Sequence, residues 1–408
     1  MLSISSINEC KICQKTPTVR KGYNCMLCGE FVCKSCRVSH KIADIGPDNK
    51  LYWAKAIYTT ASPAGLQPGA LHTNALQAKL VTGANATETV DPETLMVTAG
   101  NSQAISHAAM AFSKTHKRVF VEEPTYFLAH DIFRELGLDL KGIHVGKNGI
   151  DLDVLEAALA AGDVPAFLYT IPFFHNPTAA VMLPDRCKRL VALAQKYGFR
   201  IISDEPYNLL HLDGGALPSL ASYDDSGLVV SLGSFSKILA PGLRLGWAQS
   251  SSKTIETLST IGALRSGGGQ NPVTAALVHT VLAQGQLLPH IDHLKNVFRV
   301  RKAALCDGLR KRCPYVAFTE PSGGYFVWLE LPDGVHTEVL LKEAVARHGV
   351  AFTPGTRCSL GTLYGDGDGG VLANAAMTRC ARLSFAFYNE DEIHSGVQRL
   401  QSALASMK

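Results

Sequence analysis

The sequence predicts an α/β protein built on an open, largely parallel sheet, and three observations carry that expectation. Short apolar runs of strand length, at 95–97, 119–121, 166–169, 200–203 and 228–230, alternate with longer stretches of helical periodicity. Each run passes at its carboxyl end into polar residues, and that is the edge at which open α/β sheets bind ligands. With 408 residues, 46% of them hydrophobic and 18% charged, the chain can bury a core and divide into two or three domains.

Composition narrows the function classes. A net charge of +4 carries no nucleic-acid bias. No apolar run approaches the roughly 18 residues that span a membrane. The opening residues have neither the apolar core of a secretory signal nor the arginines of a transit peptide, so a soluble, cytoplasmic protein is expected. Five of the 11 cysteines, Cys187, Cys306, Cys313, Cys358 and Cys380, stand singly and read as reduced, structural thiols.

The other six form three Cys-x-x-Cys pairs: Cys10 with Cys13, Cys25 with Cys28, and Cys33 with Cys36. Paired thiolates at this spacing suit tetrahedral zinc, and so short a polar segment cannot fold on an apolar core alone. The spacing, with Arg20-Lys21 upstream, resembles the first three-quarters of a FYVE-type zinc finger over residues 1–41. The resemblance implies one zinc on Cys10, Cys13, Cys33 and Cys36. Cys25 and Cys28 would begin a second site, with His40 as a further ligand. It also implies phosphoinositide contact at a membrane, though a basic face is more often simply solvated. No fourth cysteine pair follows, so the finger is incomplete. Residues 42–91 read as a linker or a shortened N-terminus of the next domain, with one helical stretch at 75–81.

From residue 92 the elements follow in order. The strand at 95–97 turns through Gly100 into a helix running to Phe112, so Asn101, Ser102 and Gln103 stand where free N–H groups and the helix dipole would seat a phosphate. The strand at 119–121 leads to Tyr126, equally readable as a core aromatic or as a ring stacked on a flat ligand. The strand at 166–169 reaches Asn176-Pro177, a turn and a candidate cis bond. A helix over 184–196 places Leu190, Leu193 and Ala194 on one side. The strand at 200–203 ends at Asp204-Glu205-Pro206-Tyr207, which alone would pass for a turn. The run 228–230 feeds Ser234-Phe235-Ser236-Lys237, with Arg244 after Pro241-Gly242. A lysine flanked by small polar residues is what an aldehyde cofactor needs to form a Schiff base. Ser234, Ser236 and Arg244 supply donors for a phosphate. Beyond lie a glycine-rich loop at 266–272, helices at 273–283 and 287–309, a strand at 321–328, a turn at 352–355, an Asp/Gly-rich loop at 364–370 that fits no metal site, and a strand at 382–387 carrying Arg382.

The stretch from Ser231 to Trp247, with Asp204-Glu205-Pro206-Tyr207 and Asn176-Pro177-Thr178, resembles the signature of fold-type I pyridoxal-phosphate enzymes, specifically the class I/II aminotransferases, over residues 92–408. That resemblance implies a large domain (92–286) with a mixed, mostly parallel sheet and a smaller α+β C-terminal domain (287–408). It implies pyridoxal 5′-phosphate on Lys237 as the catalytic residue. Asp204 would face the pyridine nitrogen and Tyr126 the ring, while Asn176 and Tyr207 would face the phenolic oxygen. Arg382, with Asn176 beside it, would grip the substrate α-carboxylate. The family has a glycine where this chain has Ala179. The implied reaction moves an amino group between an amino acid and a 2-oxo acid in a homodimer whose glycine-rich loop reaches the partner's phosphate. A lyase on the same fold, and a zinc-finger scaffold protein with an inactive enzyme-like domain, are the alternatives.

Overall fold

The computed structural model describes residues 90–266, 271–360 and 375–407, together with two short strands near the N-terminus. The chain divides into two compact units, Met1–Ser62 and Pro63–Lys408. In the first, β1 (Gly22–Asn24) and β2 (Phe31–Cys33) pair antiparallel, with Asn24 opposite Phe31. The cysteine side chains of that unit, and the zinc and phosphoinositide contact expected from them, lie outside the described residues. So do the helix expected at 75–81 and the loop at 364–370.

The second unit holds the expected α/β sheet. Its strands are β3 (Leu95–Thr98), β4 (Arg118–Glu123), β5 (Asp139–Gly146), β6 (Gly149–Ile150), β7 (Phe167–Thr170), β8 (Arg200–Asp204), β9 (Val229–Ser234) and β10 (Gly246–Gln249). They lie in the order β3-β10-β9-β8-β7-β4-β5-β6. The run from β9 to β5 is parallel, while β10 is antiparallel to both β9 and β3, so the sheet is mixed.

Period-2 alternation assigns the strand residues to two cores. Val119, Val121, Phe167, Tyr169, Ile202, Val230 and Leu232 pack on one face. They meet α1 (Asn101–Phe112), α2 (Phe127–Glu135) and, later in the chain, a helix over Ser252–Ser259. Phe120, Leu168, Ile201 and Val229 pack on the other face, against α3 (Leu152–Ala160) and α4 (Pro184–Tyr197). Pro184 opens α4 and Gly198, in the left-handed region, closes it. Leu190, Leu193 and Ala194 are buried on its inner side as the periodicity predicts.

Two further helices are α5 (Pro272–Ala283), apolar yet with Val278 as its buried residue, and α6 (Leu287–Arg312), which leads to a second sheet. That sheet orders β11 (Ala317–Phe318), β12 (Phe326–Glu330), β14 (Cys380–Ser384) and β13 (Thr353–Pro354) as β11-β12-β14-β13, all antiparallel. The turn expected at 352–355 is in part strand: Thr353 and Pro354 pair with Arg382 and Ala381, and Pro354 is tolerated because β13 is an edge. All five scattered cysteines are buried and free, and burial pushes the Cys187 thiol up to about 12. Among the described residues no helix is long and apolar enough to cross a membrane, and no cluster of His, Cys, Asp and Glu is placed to hold a metal.

Candidate active site

The carboxyl ends of β4, β7, β8 and β9 lie along one edge of the sheet, and the expected site residues follow them. Lys237 lies in the turn after β9. Its carbonyl accepts from the Tyr325 hydroxyl at 2.8 Å, and its Nζ stands 5.4 Å from that ring's centroid. Burial lowers its pKa; the Asp204 charge opposes the shift, while the Arg382 and Arg244 charges reinforce it. Asp204, at the end of β8, accepts from Asn101 Nδ2 at 2.6 Å and from the Tyr169 hydroxyl at 2.8 Å. Burial raises its pKa, and those hydrogen bonds together with the Lys237 charge counter it. Its hydrogen-bond donors are neutral, so a buried carboxylate faces the site without an ion-pair partner among the described residues.

The segment before α1 packs against Arg244. Gly100 sits at φ 86°, and a Cβ there would fall 2.8 Å from an Arg244 amino nitrogen, so the close approach requires glycine. Arg244 itself takes φ 48°, a left-handed conformation unusual for a side-chain-bearing residue. Its guanidinium reaches Ser236 Oγ at 3.3 Å and Pro241 O at 3.4 Å. Ser234 Oγ accepts from the Ser236 amide at 3.1 Å, which leaves its own proton to donate. The residue before α1 is Gly100, which brings no capping side chain to the first turn. Ser102 is exposed in that first turn, whereas Gln103 directs its oxygen to the Ala99 amide at 2.8 Å. Asn101 Oδ1 and Thr98 Oγ1 are buried there without hydrogen-bond partners among the described residues.

Opposite lies Arg382, in β14. Its guanidinium donates to Asn176 Oδ1 at 2.6 Å and to Thr353 Oγ1 at 3.2 Å, and stands 4.1 Å from the Phe326 ring centroid. Asn176 belongs to the large sheet's loops and Arg382 to the second sheet, so the pair bridges the two. The Asn176–Pro177 bond is cis, as is Glu123–Pro124. Ala179 adopts φ 60°, a left-handed conformation that favours glycine. Tyr207 is buried 5.3 Å from Tyr325, centroid to centroid, and burial raises its pKa, with Arg382 acting against the shift. Tyr126 precedes α2, and after burial the charges of Asp204, Arg382 and Arg244 dominate its environment.

Several participants were not read from the sequence. Tyr169 was assigned only to an apolar strand; a hydroxyl in such a run is the signal that was available. Tyr325, Phe326 and Thr353 carried no local motif. Two adjacent acids at the end of β4 hold opposite sides of the site. Glu122 accepts from Thr170 Oγ1 and the Ile171 amide, each at 2.7 Å, and lies 3.1 Å from His175 Nε2, beyond hydrogen-bond alignment. Glu123 accepts from the Leu360 amide at 2.9 Å and from the Ser359 hydroxyl.

Pyridoxal phosphate fits this donor set. A cation-lined cup and a helix N-terminus suit a phosphate, an ion-pair-free buried carboxylate suits a protonated ring nitrogen, and a desolvated lysine suits an aldehyde. Comparison with known proteins agrees. Residues 65–400 match the model of aminotransferase class I and II, which begins earlier than the motifs from residue 92 onward suggest. The chain is 34% identical to the 2-aminoadipate transaminase of Thermus thermophilus over 78% of its own length and 77% of the relative's. It is 32% identical to aromatic-amino-acid aminotransferase 1 of Thermococcus litoralis, over 76% and 72% respectively. Among solved structures, the α-aminoadipate aminotransferase of Thermus thermophilus, complexed with N-(5′-phosphopyridoxyl)-L-leucine, aligns at TM-score 0.70 and 32% identity over 81% of this chain and 82% of that one. Pyrococcus horikoshii kynurenine aminotransferase aligns at TM-score 0.75 and 28% identity over 88% and 84%. With the sheet, the lysine turn and these relatives in agreement, the chain belongs to the class I and II aminotransferases and is a pyridoxal-phosphate-dependent transaminase.

Proposed function

We propose that the chain moves the amino group of an α-amino acid to a 2-oxo acid, with Lys237 as catalytic residue and Arg382 as the grip on the substrate α-carboxylate. The observation that carries the proposal is electrostatic: the charges of Asp204, Arg244 and Arg382, from three separate segments, all act on one half-buried lysine. When bound, pyridoxal phosphate supplies an aldehyde for the amino group and an electron-withdrawing ring that makes the substrate Cα proton acidic. Ser234, Ser236, Arg244 and the first turn of α1 would hold its phosphate. Asp204 would hold a proton on the ring nitrogen, Asn176 and Tyr207 would bind the phenolic oxygen, and Tyr126 would cover the ring.

Lys237 would take the proton from the Cα of the amino acid and, in the second half of the cycle, deliver one to the former carbonyl carbon of the incoming 2-oxo acid. Its depressed pKa places more free amine at neutral pH than an exposed lysine offers. Arg382 orients the substrate through its α-carboxylate, and the bridge to Asn176 ties that orientation to the cofactor side of the site. The relatives act, by their names, on aromatic amino acids, 2-aminoadipate and kynurenine, so kinship supports the reaction without selecting the substrate. The apolar, little-buried surface of α5 supports a homodimer.

The test is amino transfer by the purified, cofactor-loaded chain from a panel of amino acids to 2-oxoglutarate, followed by borohydride reduction and peptide mapping. Transfer that is lost in Lys237→Ala, with the label on Lys237, is expected. A loaded protein that transfers nothing from the whole panel would overturn the proposal. A zinc site in the first 41 residues is part of the same reading, supported by the three cysteine pairs and by the β1–β2 hairpin flanking Cys25 and Cys28. Metal analysis of the full chain should find zinc, diminished in Cys10→Ser; a metal-free protein would remove this element.

A further inference from the structure

We propose that Arg357 is the specificity-determining residue of this site and takes a second carboxylate, so that the preferred substrates are dicarboxylic amino acids and their 2-oxo acids. The inference rests on the reading of Arg382 as the α-carboxylate grip. Arg357 lies in a single 3-10 turn, Gly355–Cys358, fastened to the site at both ends. Before it, Thr353 pairs with Arg382 in the sheet and accepts from the Arg382 guanidinium. After it, the Cys358 carbonyl accepts from the Thr125 amide at 2.9 Å, one residue from Tyr126. The turn has little freedom to shift, because a Cβ on Gly355 would fall 2.6 Å from Met377 O and 2.7 Å from Cys380 Cβ.

The Arg357 guanidinium stands 5.0 Å from the Phe127 ring centroid, and that ring neighbours Tyr126 at 5.9 Å. It is exposed and makes no hydrogen bond or ion pair among the described residues. Among the described residues, the nearby acids are engaged elsewhere: Glu123 by Leu360 and Ser359, and Glu338 by the Thr356 hydroxyl at 2.6 Å. The Arg357 charge adds to burial in depressing the Arg382 pKa, and neither arginine has an ion-pair partner among the described residues. A substrate with a single carboxylate satisfies Arg382 and leaves that repulsion standing. A second carboxylate, reaching a guanidinium already oriented by an aromatic face, relieves it through a charge-assisted fork. An aromatic side chain would instead compete with the guanidinium for the Phe127 face.

The test is calorimetric binding of two non-reacting probes, glutarate and pentanoate, to the cofactor-loaded full chain, its Arg357→Gln and Arg357→Lys variants, and Arg382→Ala. The wild type should prefer glutarate by about tenfold or more, the increment of one charge-assisted contact. Arg357→Gln should abolish the preference, Arg357→Lys should restore part of it, and Arg382→Ala should weaken both probes. Equal wild-type affinity for the two probes, or an equal loss of both in Arg357→Gln, overturns the proposal. Steady-state kinetics add a separate reading: Arg357→Gln should raise KM for glutamate at least tenfold more than KM for leucine. If no amino acid reacts while the probe preference holds, the transfer reaction fails and the assignment of Arg357 stands.

Discussion

Replacing Arg382 separates substrate grip from cofactor binding. A guanidinium carries five N–H groups; here one goes to Asn176 Oδ1 and one to Thr353 Oγ1, which leaves enough for a bidentate carboxylate. A lysine brings three protons, so Arg382→Lys can keep both protein contacts and offer the substrate one point of attachment. The loss of one charge-assisted hydrogen bond costs about 1.5–3 kcal/mol, or roughly ten- to a hundredfold in substrate affinity. Arg382→Ala removes the charge, orphans Asn176 Oδ1 and leaves the carboxylate unpaired, at about 2–5 kcal/mol. Single-turnover absorbance on mixing loaded enzyme with a reactive amino acid gives the concentration dependence for each variant, and the unmixed spectrum reports cofactor occupancy. Wild-type, Lys and Ala forms should rank in that order in affinity with the cofactor retained. If Arg382→Ala loses the cofactor and keeps substrate affinity, the second sheet's arginine has been assigned to the wrong ligand.

Three further perturbations test other parts of the site. Because the Asp204 charge raises the Lys237 pKa, Asp204→Asn should move the pH midpoint of cofactor uptake by the apoprotein downward; an upward shift in a stopped-flow pH series would contradict the placement. Burial lifts the Glu205 carboxyl from 4.5 to about 7 against bonds from Ser203, Ser231, Leu220 and Asn208, so its contribution to stability is intact below 4.5 and is lost as pH rises through 7. That loss amounts to about 3 kcal/mol. Glu205→Gln should flatten the thermal midpoint between pH 5 and pH 8, the Asn208 amide turning so that its partnerless Oδ1 accepts from the new donor; an unchanged pH profile would refute this. Ala179→Gly exchanges a left-handed cost of about 1–2 kcal/mol for the added chain entropy of glycine, about 0.5–1 kcal/mol. The variant should therefore melt higher by scanning calorimetry, and a lower midpoint would mean that the Ala179 methyl packs more than its backbone resists.

The strands and the chemistry at their ends were legible because both are local. Alternation assigned Phe120 and Val121 to opposite faces, and the turns after β8 and β9 brought Asp204 and Lys237 to one edge. What escaped depends on register across the sheet. The Tyr169 hydroxyl reaches Asp204 only because β7 and β8 pair in parallel, with Tyr169 opposite Ile202. Thr353 and Phe326 meet Arg382 through the pairing of the second sheet, and its strand order leaves no trace in local periodicity. The turn expected at 352–355 is part strand for a related reason: Pro354 breaks a strand in isolation and is harmless at an edge.

The two acids at the end of β4 have a consequence for how the molecule can change. Consecutive strand residues point to opposite sides, and here one fastens the loop leading to Asn176 while the next fastens the segment following Arg357. Substitution along β4 alters side chains one at a time and leaves this division intact. Insertion or deletion of a single residue would exchange the two sides, turning each carboxylate away from its own segment and toward the other. Length in this strand is therefore constrained more tightly than composition. Libraries that vary residues across β4 should yield working proteins at many positions, whereas a one-residue frame slip there should disable both loops together.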